Sequence, residues 1–141
     1  MRPVGKLIII GGAVNKGSFA ETDYDQNIEK NLNFFERGIL RKIITESKHK
    51  EDSVIEVITT ASQIPQIVGT EYKKAFEFLG AKNVNVLDIH NRDEANSDAI
   101  VARANAADVV MFTGGDQLRL TSILGGTRFH DTILLKYQEQ D

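Results

Sequence analysis

The segment Gly114-Gly115-Asp116-Gln117 follows a short apolar run, Val109–Phe112, and combines residue types that suit chemistry on an acyl group. A Gly-Gly turn between a strand and a helix exposes backbone N–H groups where the helix peptide dipoles add up. Such N–H groups can hold an anion or the oxyanion of a reacting carbonyl group. We therefore predict that Gly114 and Gly115 donate backbone hydrogen bonds to an anion or to an oxyanion.

Asp116 has two possible roles. It is a favourable N-cap residue for a helix predicted over Asp116–Leu124, because its carboxylate can accept from the N–H groups of the first turn. It could also contact a substrate. Gln117 falls in the first turn of the same helix, where its side chain can point either to solvent or across a cleft.

No nucleophile accompanies the turn. Ser62 stands where a strand leaves the sheet, but a sharp nucleophile turn needs small residues on both sides of the serine, and Gln63 and Pro65 flank it. The sequence favours a loop residue whose hydroxyl caps backbone groups. Contact between Ser62 and a substrate is the alternative. No Ser–His–acid set can be assembled from this chain.

Cofactor sites are also not indicated. The loop Gly11–Ser18 follows a strand, but Lys16 precedes Gly17, whereas a Walker loop has its lysine after the last glycine. The third glycine of the dinucleotide fingerprint is missing as well. The spacing of the three histidines, His49, His90 and His130, does not suit a metal site, and the chain contains no cysteine. We predict no cofactor and no metal.

Strands and helices alternate along the chain, which predicts right-handed crossovers, a mainly parallel sheet and helices on both of its faces. The fold class is therefore a three-layer α/β/α domain of the flavodoxin-like kind. Ligand chemistry on such sheets gathers at the carboxyl ends of the strands. The predicted strands are Lys6–Ile10, Val54–Thr60, Val84–Ile89 (nearer an edge) and Val109–Thr113, and the predicted helices are Asn33–Ser47, Gln66–Leu79, Ser97–Ala107, Asp116–Leu124 and His130–Gln140.

Composition narrows the function classes. The 141 residues suit one domain with a substantial core, and we treat 1–141 as a single domain. A net charge of −3 with scattered Lys and Arg gives no footprint for nucleic acid. The apolar run Leu7–Ile10 is too short for a signal peptide or a membrane span. Together with the lack of cysteine, this predicts a cytoplasmic protein that has no membrane partner.

Several motifs resemble those of cyanophycinases, which are serine exopeptidases related to peptidase E (aspartyl dipeptidase), with a fold like that of class I glutamine amidotransferases. The most specific is FTGGDQLRL at Phe112–Leu120, and the resemblance spans Gly5 to Tyr137. The weaker pieces are GKLIIIGG at Gly5–Gly12, ITTASQIP at Ile58–Pro65, the pair Gly69 and Tyr72, FEFLG at Phe76–Gly80 and LGGT at Leu124–Thr127.

The resemblance implies an enzyme that releases β-Asp-Arg dipeptides from cyanophycin, or cleaves a related β-aspartyl peptide, through an acyl-enzyme. Gly114 and Gly115 resemble the oxyanion turn of the family, and Gln117 resembles its substrate-contacting glutamine. The resemblance further implies that Asp116 and Arg119 orient this turn, and we count both, with Ser62, among the residues expected to bind the substrate. The Ala13-Val14-Asn15-Lys16 stretch departs from the family pattern, which often has acidic residues after Gly-Gly.

The family serine lies in a Gly-x-Ser-Ala-Gly turn, with its histidine and acidic partner later in the chain, and this sequence contains none of the three. We therefore expect 1–141 to be the N-terminal portion of such an enzyme, incomplete at its C-terminus and inactive alone. The alternative is a non-catalytic binding or interaction module. In that case Val109–Phe112 would lack a neighbouring strand, and the exposed sheet edge would pair with another chain or form a homodimer.

Overall fold

The computed structural model describes residues 2–10 and 38–140 of the chain. Its centre is a parallel sheet in the order β2-β1-β3, formed by β1 (Val54–Ile58), β2 (Asn83–Leu87) and β3 (Val109–Phe112). In the register of the sheet, Ile55 lies opposite both Val84 and Val109. All three carboxyl ends therefore meet at one edge of the sheet.

The helices are connections that return the chain to the start of the next strand. The first precedes β1, the second joins β1 to β2, two lie between β2 and β3, and two follow β3. They are α1 (Ile39–Glu46), α2 (Pro65–Phe78), α3 (Arg92–Ala95), α4 (Asp98–Ala106), α5 (Gln117–Leu124) and α6 (Arg128–Glu139), with a 3₁₀ turn at Lys50–Asp52.

Two apolar cores cover the two faces of the sheet. On one face, α1 and α2 pack against the side chains of Ile55 and Val57, with Phe76 fully buried between them. On the other face, the helices after β2 pack against Ile58, with Phe129 of α6 buried there. This confirms the predicted three-layer α/β arrangement and the parallel sheet.

Gly69 of α2 allows the helix to approach the sheet closely. A Cβ atom at this position would lie 2.6 Å from a methyl carbon of Val86 and 3.4 Å from the methyl carbon of Thr59. The helix therefore rests directly on the end of β1 and on β2. This packing fixes where the chain leaves β1, which matters for the site described below.

One predicted strand is wrong. Lys6–Ile10 forms no strand, and the side chains of Leu7 and Ile9 are 67% and 85% exposed. A run of β-branched residues forms a strand only where it pairs with a neighbouring strand, and in the described residues Lys6–Ile10 pairs with neither the outer edge of β2 nor that of β3. The residues just before this run instead contact the end of α6, where the Gly5 N–H donates to the Tyr137 carbonyl over 2.9 Å.

The remaining predicted elements agree with the structure to within a few residues, and β2 lies at an edge of the described sheet, as predicted. The short helix α3 and the 3₁₀ turn were not predicted. The loop Gly11–Ser18, whose nucleotide-binding pattern is rejected above, lies outside the described residues. So does the first part of the helix predicted over Asn33–Ser47. The described part of that helix is α1.

Candidate active site

The Gly-Gly turn leaves the carboxyl end of β3 next to the end of β1. The Thr113 N–H donates to the Ile58 carbonyl over 3.0 Å, which extends the strand pairing to the residue just before the turn. Thr113 is buried, whereas Gly114 and Gly115 are exposed. Within the described part of the chain, a Cβ atom built on Gly114 would meet no atom within 4 Å. The side of the turn at Gly114 is therefore open among these residues.

The amides of the turn are available to a ligand. Among residues 2–10 and 38–140, no acceptor is assigned to the N–H of Gly114 or of Gly115, although the flanking amides of Thr113 and Asp116 are both engaged. Backbone amides at the start of a helix can donate to an anion when they have no intramolecular acceptor. The expected donation of these two amides to an oxyanion stays a prediction.

Gly115 is held by a close backbone contact. Its φ of +149° is rare for residues that carry a side chain, and a Cβ atom there would lie 2.1 Å from the Ala61 carbonyl oxygen. The next residue, Asp116, donates its N–H to that same oxygen over 2.9 Å. Only glycine permits this approach, so the second glycine of the pair has a structural requirement of its own.

Asp116 is the N-cap of α5, as predicted. Its Oδ1 accepts from the N–H groups of Leu118 and Arg119, at 2.9 and 3.2 Å. The capping bonds orient the first turn of α5 relative to the glycines. A substrate contact by the Asp116 side chain stays a prediction.

Arg119 points back toward the β1 end of the site. Its Nε donates to the Thr60 carbonyl over 3.0 Å in a partly buried hydrogen bond. Gln117 is exposed at the first position of α5, and Leu118 beside it is 75% exposed. The sequence itself places Gly114, Gly115, Asp116 and Gln117 side by side. The structure adds the hydrogen bond from Arg119 that attaches this segment to the loop after β1.

Ser62 lies in that same loop, close to the glycine turn, because a Cβ atom on Gly115 would be 3.0 Å from the Ser62 nitrogen. The Ser62 side chain is 5% exposed, and its hydroxyl oxygen accepts from the Ile64 N–H over 3.1 Å. This is the backbone-capping role that the sequence favoured. A substrate contact by Ser62 stays a prediction.

Sequence reasoning missed the partners of the turn. The carbonyl groups of Thr60 and Ala61 hold the turn, but every residue carries a carbonyl group, so no sequence signal marks these two.

The hydroxyls of Thr59 and Thr60 are buried and, within the described residues, have no hydrogen-bond partner. Buried hydroxyls of this kind are commonly satisfied by ordered water.

The histidines lie in separate parts of the molecule. His90 Nε2 is 2.6 Å from Asp88 Oδ2 just beyond β2, and His49 Nδ1 is 3.1 Å from Asp108 Oδ1 at the opposite end of the sheet. In residues 2–10 and 38–140, no group of three His, Asp or Glu side chains could hold a metal ion. No helix in the same ranges is long and apolar enough to cross a membrane.

The parallel sheet between two helix layers, with a glycine turn at the carboxyl end of a strand, defines a flavodoxin-like α/β protein. The sequence matches the model of peptidase family S51 over residues 14–140, and the chain therefore belongs to this family.

Cyanophycinases are among its relatives. The cyanophycinase of Nostoc sp. (strain PCC 7120) is 42% identical over 73 residues, which is 52% of this chain and 24% of that protein. The cyanophycinase of Geminocystis herdmanii is 34% identical over 82 residues, which is 58% of this chain and 30% of that protein. The matches thus span less than a third of the length of these curated relatives.

One solved structure is similar in fold. A peptidase from an acI-B1 Actinobacterium superposes with a TM-score of 0.53 at 20% sequence identity, over 80% of this chain and 45% of that chain. This likeness supports the fold assignment, and the family assignment rests on the sequence.

Proposed function

We propose that residues 1–141 are the N-terminal part of a cyanophycinase-like serine exopeptidase, in which the Gly114 and Gly115 amides form the oxyanion hole. The observation that carries the proposal is the open glycine turn, whose two amides lack an acceptor within the described residues while its backbone is fixed against Ala61. Family membership supplies the reaction class.

In the proposed reaction on cyanophycin, a serine hydroxyl attacks the carbonyl carbon of the amide bond that joins a β-Asp-Arg unit to the next aspartyl residue, and the isopeptide bond inside the unit stays intact. The hydroxyl proton passes to a general base, and the carbonyl oxygen becomes an oxyanion that accepts from the two glycine amides. Collapse of this intermediate breaks the C–N bond between the two aspartyl residues, and the amine leaves with the proton. Water then hydrolyses the acyl-enzyme, and one of the two products of the cleavage is β-Asp-Arg. Preorganised amides lower the barrier because they need not reorient as the charge develops.

Gln117 is the side chain best placed to contact the substrate, because it is exposed at the start of α5 next to the turn. Its amide can both donate and accept, as recognition of a β-aspartyl unit requires. Asp116 and Arg119 contribute mainly through their contacts with the turn, and Ser62 lines the neighbouring loop. The substrate is cyanophycin or a small β-aspartyl peptide.

We place the serine nucleophile in a part of the enzyme outside these 141 residues. Four serines of the described chain have structural hydrogen bonds: Ser47 to Ile44, Ser53 to Ser47, Ser62 to Ile64 and Ser97 to Glu94. The curated relatives are also three to four times longer than the regions that match, since those regions cover 24% to 30% of them. We therefore expect no peptidase activity from residues 1–141 alone. Release of β-Asp-Arg from cyanophycin by the purified chain would contradict this.

Ligand binding by the turn can be tested without catalysis. In ¹H–¹⁵N spectra of the chain, β-aspartyl-arginine should shift the amide signals of Gly114, Gly115 and Gln117. The α-linked Asp-Arg isomer is the matched control, and it should shift them less. Equal shifts with both isomers, or shifts confined to other parts of the molecule, would contradict the proposed site. The proposed compartment is the cytoplasm, which fits a chain without cysteine.

A second candidate function, a binding module that pairs through its sheet, is favoured by one observation. In the described sheet β3 pairs only with β1, and Phe112 at its end is 41% exposed. Unpaired edges of apolar strands tend to pair with another chain. Sedimentation over a wide range of protein concentrations tests this, because edge pairing predicts a dimer. A monomer at every concentration would leave the enzyme fragment as the only candidate.

A further inference from the structure

Two hydrogen bonds attach the glycine turn to the loop after β1. The Asp116 N–H donates to the Ala61 carbonyl over 2.9 Å, and Arg119 Nε donates to the neighbouring Thr60 carbonyl over 3.0 Å. Two attachments to consecutive carbonyl groups restrict both the position and the rotation of the start of α5 more than either attachment would alone.

The attachments form a closed ring of contacts. The Asp116 carboxylate accepts from the Arg119 N–H over 3.2 Å, so the two donors are also bound to each other. The loop that receives them is itself held, because the Ser62 N–H donates to the Thr59 carbonyl over 2.9 Å.

We infer that Arg119 is a positioning residue for the oxyanion hole: its bond to the Thr60 carbonyl sets the direction of the Gly114 and Gly115 amides. This inference deepens the proposed function and rests on it for its meaning in catalysis. Its structural part can be measured separately. Lysine would keep the charge and glutamine would keep a planar N–H donor, but only arginine combines a fixed positive charge with N–H donors on a planar group.

The experiment is amide hydrogen exchange of the full 141-residue chain by NMR, without ligand. In R119Q the Asp116 amide should exchange about tenfold faster than in the wild type, because the remaining bond to Ala61 opens more often. The Thr113 amide, which donates to Ile58, should keep its rate within about twofold and serves as the internal reference. The signals of Gly114 and Gly115 should move.

R41Q is the matched control. Arg41 lies on α1, away from the turn. Its Nη1 also donates to a backbone carbonyl, that of Leu79, over 3.0 Å in a partly buried hydrogen bond. R41Q should leave the Asp116 amide unchanged. R119K should fall between the wild type and R119Q, because the lysine ammonium can still reach the carbonyl as a single donor.

Two results would overturn the inference: an unchanged Asp116 amide in R119Q, or an equal loss of protection in R41Q. A general loss of stability is distinguished by the Thr113 reference. The outcome is also independent of the ligand test. If R119Q loosens the turn while β-aspartyl-arginine fails to bind the wild type, the positioning role stands and the proposed function fails. If the peptide binds and R119Q changes nothing, the reverse holds.

Discussion

Arg103 of α4 forms a bidentate ion pair with Glu56 in the middle of β1. Its Nε lies 3.1 Å from Glu56 Oε1, and its Nη2 lies 2.7 Å from Oε2. The Nη2 group also donates to the Val86 carbonyl on β2 over 3.2 Å. The Glu56 side chain is 3% exposed, so a carboxylate stands inside the otherwise apolar face of the sheet. The pair ties α4 to both strands.

Removal of the arginine should destabilise the fold, because it leaves the Glu56 carboxylate buried without its partner. We expect R103M to lower the free energy of unfolding by about 2 kcal/mol, less than for a fully buried pair, since Arg103 is 39% exposed. Urea unfolding followed by circular dichroism measures the change. The double variant E56M/R103M should recover much of the loss. Wild-type stability in R103M would contradict the assigned role of the pair.

The two glycines of the turn should respond differently to alanine. G114A places a methyl group where the described residues leave open space, so we expect stability within about 0.5 kcal/mol of the wild type. The same methyl group would stand beside the amides that are proposed to bind the ligand, so we expect at least about tenfold weaker binding of β-aspartyl-arginine. G115A places a Cβ atom against the Ala61 carbonyl and should cost about 2 kcal/mol or more. Thermal unfolding and peptide titration measure the two effects. Unchanged binding in G114A would argue against the site.

The capping role of Asp116 predicts a pair of variants. D116A removes the acceptor of the Leu118 and Arg119 amides and should cost about 1 kcal/mol. D116N keeps an oxygen acceptor and should lie within a few tenths of a kcal/mol of the wild type. Chemical denaturation of both variants checks the prediction. An equal loss of stability in D116A and D116N would contradict the capping role, because it would show that the negative charge of Asp116 stabilises the helix and its hydrogen bonds do not.

Tyr72 predicts part of the response to alkaline pH. Burial raises the pKa of its hydroxyl, and the nearby Glu71 charge adds to the effect. The folded state therefore holds this proton more tightly than the unfolded state. Its contribution to stability is fully present below the ordinary value of about 10 and is lost as pH rises through the raised pKa.

The measurement compares urea unfolding of the wild type and Y72F from neutral to alkaline pH. The stability of the wild type should fall relative to that of Y72F above about pH 10. Desolvation lowers the pKa of Lys136, which acts in the opposite direction at alkaline pH, but Lys136 is present in both proteins and cancels in the difference. A constant difference across the range would contradict the prediction.

The prediction from sequence succeeded where a local pattern was sufficient. The strands that became β1, β2 and β3 are bounded apolar runs, and the Asp116 cap follows from a side-chain oxygen placed just before a helix. Lys6–Ile10 has an equally strong local pattern and failed. A strand also needs a neighbouring strand to pair with, and a local pattern such as that of Lys6–Ile10 does not show whether the fold provides one.

The sequence by itself determined the fold class, the family and the candidate turn, because apolar periodicity and a Gly-Gly-Asp-Gln motif are local properties of the chain. Only the tertiary structure decided what holds the turn in place. The Thr60 and Ala61 carbonyls are more than fifty residues away in the sequence, with Arg119 and Thr60 separated by 59 positions. Backbone acceptors look alike in every residue, so their pairing is set only when the parallel sheet brings the ends of β1 and β3 together.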